Sequence, residues 1–301
     1  MKKLISLWFG AIVFTATIPV AALGEVRLGI TLDRQEYALG QPVILGTRVE
    51  NAGAEPFRDL TFMHPAAGFL SLELERNGVR VPWTGMRWTV AMEEGITLRP
   101  GEAVCEMTEL GDWFGQELTL AGRDGPIQTW GLGPGAYTLR VRLSARTGIV
   151  RGLAPVFLDG GQLDFRVREE SQGSASEKQV RDFTFQLKGG ARLPAPAEKR
   201  LLLMRNLDSP FLYPLFRYLH LTEEELPTAD LLALAEGTGK NHVIAAAMIH
   251  ARCQLQHVGD SGKEKFVSAL LMRAHSEEVR CTLISRLVKL RNKRYYTSFG
   301  P

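Results

Sequence analysis

Cysteine is scarce: the 301 residues hold three, at Cys105, Cys253 and Cys281. None lies in a Cys-x-x-Cys pair, which removes zinc ribbons and thioredoxin-type redox sites from consideration. An odd count leaves at least one thiol without a partner in the chain, so a packed core and not a disulfide framework must stabilise the fold. Net charge is scarce too. There are 36 basic and 33 acidic side chains, a formal charge of +3 that includes Lys2 and Lys3. So small an excess predicts no general attraction to nucleic acid. After the N-terminal stretch no apolar run approaches the ~20 residues of a bilayer span, so no membrane span is expected in the mature chain. His-Glu-x-x-His is absent, and His250 and His257 would stand ~10 Å apart along a helix, too far to share an ion. Neither a metal nor a cofactor is expected.

What is present begins with an export signal. Lys2 and Lys3 precede an uncharged apolar run from Leu4 to Ile18; Pro19 breaks it, and Val20-Ala21-Ala22-Leu23-Gly24 supplies small residues. Positive, apolar and small zones in that order read as a signal peptide over 1–24, cut after Ala22 or Gly24. The mature protein is therefore expected to be exported, periplasmic or secreted.

From 25 to 168 the hydrophobic pattern has a period of two. Leu70, Leu72 and Leu74 alternate with Ser71, Glu73 and Glu75, and Tyr137, Leu139, Val141 and Leu143 with Thr138, Arg140, Arg142 and Ser144. Such alternation gives each strand one core face and one wet face, as antiparallel sheets require. Asn77-Gly78, flanked by apolar alternation, predicts a tight hairpin, because both residues tolerate positive φ. Pro100-Gly101 and Pro134-Gly135 mark further turns. The runs Leu98-Arg99-Pro100-Gly101-Glu102, Pro134-Gly135-Ala136-Tyr137 and Phe165-Arg166-Val167 resemble bacterial immunoglobulin-like sandwiches, among them the intracellular proteinase inhibitor family. The resemblance implies an immunoglobulin-like β-sandwich in which Tyr137 ties down a sheet corner.

Residues 169–197 read as a linker. Glu169 to Lys178 is small and polar, and Val180, Phe183, Phe185 and Leu187 suggest one more extended segment before Pro194 and Pro196. Beyond it the period becomes helical, predicting an α-helical domain over 198–301. Helices are expected over Glu198–Leu207, Pro210–His220, Ala229–Glu236, Asn241–His257, Gly262–His275 and onward from Ser276. Val279-Arg280 at a helix start after a polar turn is similar to the second helix of a HEAT repeat. The fold class is thus β then α, a sandwich followed by a helical bundle.

Several strings imitate catalytic motifs. Gly259-Asp260-Ser261-Gly262 matches the nucleophile string of trypsin-like proteases, but it joins two helices and Lys263 replaces the next glycine. Glycine as helix stop and serine as cap account for it. Gly237-Thr238-Gly239-Lys240 lacks both the upstream glycine and the following Ser or Thr of a phosphate loop. Cys253 and Cys281, both on helices, are the candidate disulfide, with Cys105 left free. The aromatic residues Trp83, Trp88, Trp113, Phe114 and Trp130 lie in or beside loops of the β half, where they either form a recognition platform or plug the ends of the sheets. The function expected is a non-catalytic binding or assembly module for a protein partner in the cell envelope or outside the cell; a glycan partner, an inhibitor of an exported protease and an unrecognised hydrolase are the alternatives.

Overall fold

Period-two alternation becomes strand, and period-3.6 alternation becomes helix, in the order the pattern predicts. The computed structural model describes residues 26–61, 63–86, 95–122, 125–146, 155–169, 175–222, 224–237, 242–255 and 260–297. The strands are β1 (Val26–Leu32), β2 (Glu36–Ala38), β3 (Ile44–Asn51), β4 (Phe57–Leu60), β5 (Leu70–Arg76), β6 (Val79–Arg80), β7 (Ile96–Leu98), β8 (Ala103–Glu109), β9 (Gln116–Gly122), β10 (Gly125–Gly131), β11 (Gly135–Arg146) and β12 (Val156–Arg168). A short helix, α1 (Gly111–Phe114), interrupts them. Helices α2 (Ala175–Lys188), α3 (Pro196–Arg205), α4 (Leu212–Leu219), α5 (Thr228–Gly237), α6 (His242–Leu255), α7 (Asp260–Leu271) and α8 (Glu277–Thr297) follow. Among the described residues no helix is long and apolar enough to cross a membrane.

The strands form a five-stranded sheet, β2-β12-β11-β5-β6, a three-stranded sheet, β1-β3-β8, and two-stranded ribbons β9-β10 and β4-β7. Every pairing is antiparallel except β2 with β12. No closed barrel forms among the described strands. Leu70, Leu72 and Leu74 of β5 and Leu139, Val141 and Leu143 of β11 share a core with Leu45 and Val49 of β3 and Val104 of β8. The β5–β6 turn has Asn77 at φ 51° and Gly78 at φ 78°, the left-handed pair that its sequence favours. Asn77 also accepts a hydrogen bond from the Ala136 amide, at 2.9 Å, which ties the hairpin to the start of β11. Tyr137 donates its hydroxyl to the Gly133 carbonyl at 2.6 Å, pinning the turn that feeds its own strand.

The segment after β12 departs from the expected linker and extra strand. Ala175–Lys188 is a helix of 14 residues, α2. Val180, Phe183, Phe185 and Leu187 suit either period, but Val180, Thr184 and Leu187 lie on one helical face and all are buried. Thr184 Oγ1 returns a hydrogen bond to the Val180 carbonyl at 2.7 Å, which only a helical turn permits. The helix lies between the β9–β10 ribbon and α4, so its apolar residues join a core with Leu118 and Leu120 of β9 and Phe211, Leu212 and Leu215 of the helical half. Ile44 of β3 belongs to that core too, and Val288 of α8 belongs to the sheet core. Strands and helices are packed into one another.

Their main seam runs along β8. Among the described strands it pairs with β3 alone, and α8 covers it. Residues four apart on α8 make one ridge facing the sheet. Glu277 accepts from Arg48 Nη1 at 2.8 Å, Cys281 is bonded to Cys105, Ser285 donates to the Cys105 carbonyl at 3.0 Å, and Lys289 reaches Glu106 at 2.8 Å. Beyond the ridge, Arg291 grips both carboxylate oxygens of Glu102, at 2.5 and 2.8 Å. The disulfide corrects the expected pairing of Cys253 with Cys281 and the expectation that Cys105 stays free. The Cα atoms of Cys105 and Cys281 stand 6.3 Å apart because α8 docks on the strand edge, a contact between halves that helix-to-helix reasoning omits. The side chain of Cys253 lies outside the described residues.

A bond joining residues 176 apart in sequence restricts the unfolded chain strongly. Replacing Cys105 and Cys281 together by serine should lower stability by roughly 2–4 kcal/mol in chemical denaturation. Denaturation curves that superimpose on those of the unaltered protein would contradict the assignment.

Candidate functional site

Two buried glutamates on β8 meet opposite fates. Glu106 is enclosed, with Lys289 Nζ 2.8 Å from one oxygen and His250 Nε2 3.1 Å from the other. Burial alone would raise its pKa, but the Lys289 charge and His250 outweigh it and hold the carboxyl well below its ordinary range. Three residues on, the Glu109 side chain is only 11% exposed. Here burial comes first, the Asp112 charge adds to it, and Lys188 and Arg217 do not compensate, so the carboxyl is pushed up to about 7. Arg217 explains the shortfall. Its Nη1 lies 2.9 Å from Asp112 and 3.5 Å from Glu109, so the guanidinium is committed mainly to Asp112.

Glu109 faces a cleft between the sheets and the helices. Trp130 of β10 forms one wall, Phe185 and Lys188 of α2 another, and Pro214 and Tyr218 of α4 a third, while Gly40–Val43 closes the rim. Tyr213 and Tyr218 are both held protonated, by burial first and by the nearby Glu109 charge second. Lys188 donates to the Trp130 carbonyl at 3.2 Å, joining α2 to the ribbon across the cleft mouth. Trp130 also lies against Gly115, where a Cβ would collide with the indole and with the Gly111 carbonyl. Glycine is needed there for that close approach, and its φ of −64° shows that conformational freedom is not the reason.

The loop aromatics divide into two groups. Trp83, Trp113 and Phe114 come together: Trp83 stacks on Trp113 with centroids 5.2 Å apart and meets Phe114 edge-on at 5.4 Å. His64 stands edge-on to Trp113 at 5.4 Å. Both indoles find hydrogen-bond acceptors, Trp83 on the Gly85 carbonyl and Trp113 on Thr108 Oγ1, each at 2.7 Å. Phe114 is buried, and Trp83 and Trp113 pack against the sheet core. Of the two readings of these rings, a recognition platform or plugs at the ends of the sheets, Phe114 takes the second as a core residue, and Trp83 and Trp113 stack one face of each ring against the other. Trp130 differs, with 43% of its surface exposed. Trp88 lies outside the described residues.

Comparison with known proteins adds little to this geometry. No family model and no curated protein matches the chain. Among solved structures it is similar to a "putative lipoprotein (ycdA)" of Bacillus subtilis subsp. subtilis strain 168, at 9% identity over 90% of this chain and 83% of that one. The TM-score is 0.21. Likeness at that level carries no inference about this chain.

Asp260, Ser261 and Gly262 open α7, so Ser261 lies in the first helical turn and not at the cap that the sequence suggests; Gly259 is outside the described residues, as are residues 238–240. No group of three or more His, Cys, Asp or Glu side chains among the described residues is arranged to hold a metal. Sequence reading did not mark Glu106, Glu109 or Arg217, and it weighed His250 only as a metal ligand and not as the partner of Glu106. The available signal was a strand, Ala103–Glu109, that carries two acids within a stretch of otherwise apolar and small residues. A strand buried on both faces requires partners for such acids.

The opposite shifts predict opposite pH effects. Glu109 has its folded pKa raised from 4.5, so it favours the folded state fully below about 4.5 and loses that contribution as pH climbs through about 7. Glu109→Gln should therefore unfold less readily than the unaltered protein at pH 8, by about 1–2 kcal/mol, with the difference gone near pH 4. Glu106 has its pKa lowered, so its contribution is present above 4.5 and lost as pH falls below it. Glu106→Gln should cost about 3 kcal/mol or more at pH 7, because Lys289 is left beside an uncharged partner. Denaturant melts at pH 4, 7 and 8 measure both effects; equal pH profiles for the two variants would refute the assignment.

Proposed function

We propose that the protein is a non-catalytic exported binding module, engaging a protein partner in the cell envelope or outside the cell at the cleft beside Trp130. The observation that carries this is Trp130 itself: a large ring, 43% exposed, held over Gly115 at the mouth of a cleft between sheet and helices. A rigid aromatic beside a concave surface supplies contact area at low entropic cost, which is how interface anchors act. The tripartite leader supports export, and a Cys105–Cys281 bond suits an oxidising compartment. In this reading the sheets are an immunoglobulin-like sandwich, supported by the Tyr137–Gly133 contact, and the helices are a loosely HEAT-like unit docked on its edge.

The test uses the mature chain as bait in the exported fraction of its source organism. A specific partner should be retained by the unaltered protein and bound at least about thirtyfold more weakly by Trp130→Ala, a loss of ~2 kcal/mol, while the two melt alike. Equal retention by both proteins would contradict the reading.

A further inference from the structure

We infer that the partner engages this site as an extended polypeptide segment, pairing its backbone with the outer edge of β10 and laying one side chain against Trp130. The inference rests on the reading of the Trp130 surface as the partner-binding site.

Its ground is the direction in which the backbone of β10 points. Successive residues of a strand turn their N–H and C=O groups to opposite sides, so residues two apart share a side. Pro126 has no N–H, and a strand tolerates proline only where the ladder asks for no donor. Four residues on, the Trp130 carbonyl accepts from the Lys188 side chain at 3.2 Å. Both observations turn the same set outward: Pro126, Gln128 and Trp130, while Ile127, Thr129 and Gly131 pair with β9. The three outward residues are exposed. Among the described residues no other element bonds to the Gln128 amide or carbonyl, or to the Trp130 amide.

Other strand edges are closed or short. Helix α8 covers β8, and β12 comes close to β1, with Gly160 against the Leu28 and Ile30 side chains. None of β2, β4, β6 and β7 exceeds four residues, whereas β10 has seven. Open edges of that length invite pairing with another chain. Here Pro126 stops such pairing toward the β9–β10 turn, and Lys188 occupies one acceptor. The Gln128 N–H and C=O and the Trp130 N–H remain, which are the groups that an opposing strand bonds. Ile127 turns inward to the helical core, and Trp130 lies on the exposed side. A partner residue opposite Trp130 therefore lands beside the indole, where a β-branched or aromatic side chain packs best. Main-chain bonds supply the affinity of such strand addition, and the side-chain contact supplies its selectivity.

Amide hydrogen exchange of the mature chain alone, followed by NMR, tests the edge. The Gln128 and Trp130 amides should exchange at least about a hundredfold faster than those of Ile127 and Thr129. Equal protection of all four would mean that the chain covers its own edge, and would overturn the inference. Capture from the exported fraction tests the pairing. Gln128→Pro removes the outward N–H, as Pro126 already does, and spares the ladder to β9, so it should retain the partner at least about tenfold more weakly. Gln128→Ala loses the same side chain, with its Thr119 bond, but keeps the N–H, and should retain the partner as the unaltered protein does. If Gln128→Pro melts early, exchange in the complex decides in its place: with the captured partner added, the Gln128 and Trp130 amides should slow by about tenfold or more. Full retention by a folded Gln128→Pro, or amides that do not slow, would overturn the inference. So would a dimer of the chain itself, seen by sedimentation and dissolved by Gln128→Pro, since the edge would then belong to a second copy. Retention lost in Trp130→Ala but kept in Gln128→Pro leaves the binding site and removes the strand pairing; retention indifferent to both removes the site.

Discussion

Strand β8 carries a problem that α8 resolves. Among the described strands it stands at the end of its sheet, so one row of its backbone groups faces away from any of them, and exposed edges of this kind invite pairing with other chains. Covering the edge with a helix removes the hazard but requires the helix to be fixed in place. The ridge Glu277, Cys281, Ser285 and Lys289 does so by four different means: a surface ion pair, a covalent bond, a hydrogen bond to the strand's own carbonyl, and a buried ion pair. They are not equal. Glu277 is 80% exposed, so its pairing with Arg48 contributes little. The covalent bond and the enclosed Glu106 carry most of the attachment, the latter because removing Lys289 strands the Glu106 charge away from water.

Other features depend on that attachment. With α8 seated, α6 brings His250 onto Glu106, and the helical core merges with Ile44, Leu118 and Leu120 of the sheets. Helix α4 is then held against the end of β8, which sets Arg217 beside Asp112 and Glu109 and Tyr218 in the cleft wall. The cleft is therefore a product of the docking and belongs to neither half alone. It is also where the molecule tolerates an unfavourable arrangement, a carboxyl kept from water with incomplete compensation. Such tolerance is characteristic of sites where function and stability pull in opposite directions.

How far the sequence foretold this depends on the range of the interactions. The strands β5 and β11, the Asn77–Gly78 turn and the presence and order of α3 to α8 follow from local spacing and were legible, though not every helix boundary. Helix α2 was not, because Phe183, Phe185 and Leu187 alternate as well as they spiral, and only the neighbours that bury them decide between the two. The disulfide was illegible for a related reason: three cysteines offer three pairings, and the choice among them lies in how α8 meets β8. Trp130 could be named from its residue type but not told apart from Phe114, since exposure is a property of packing. Glu109 and Arg217 are more than a hundred positions apart, and no local pattern links them.

The seam is tested most directly by locating the disulfide in protein that has never been reduced. The mature chain, alkylated and digested without reductant, should yield a peptide containing Cys105 joined to one containing Cys281, with Cys253 carrying the alkyl label. Recovery of Cys253 in a bond with Cys281, or of Cys105 alkylated, would show that α8 does not dock on β8 as described.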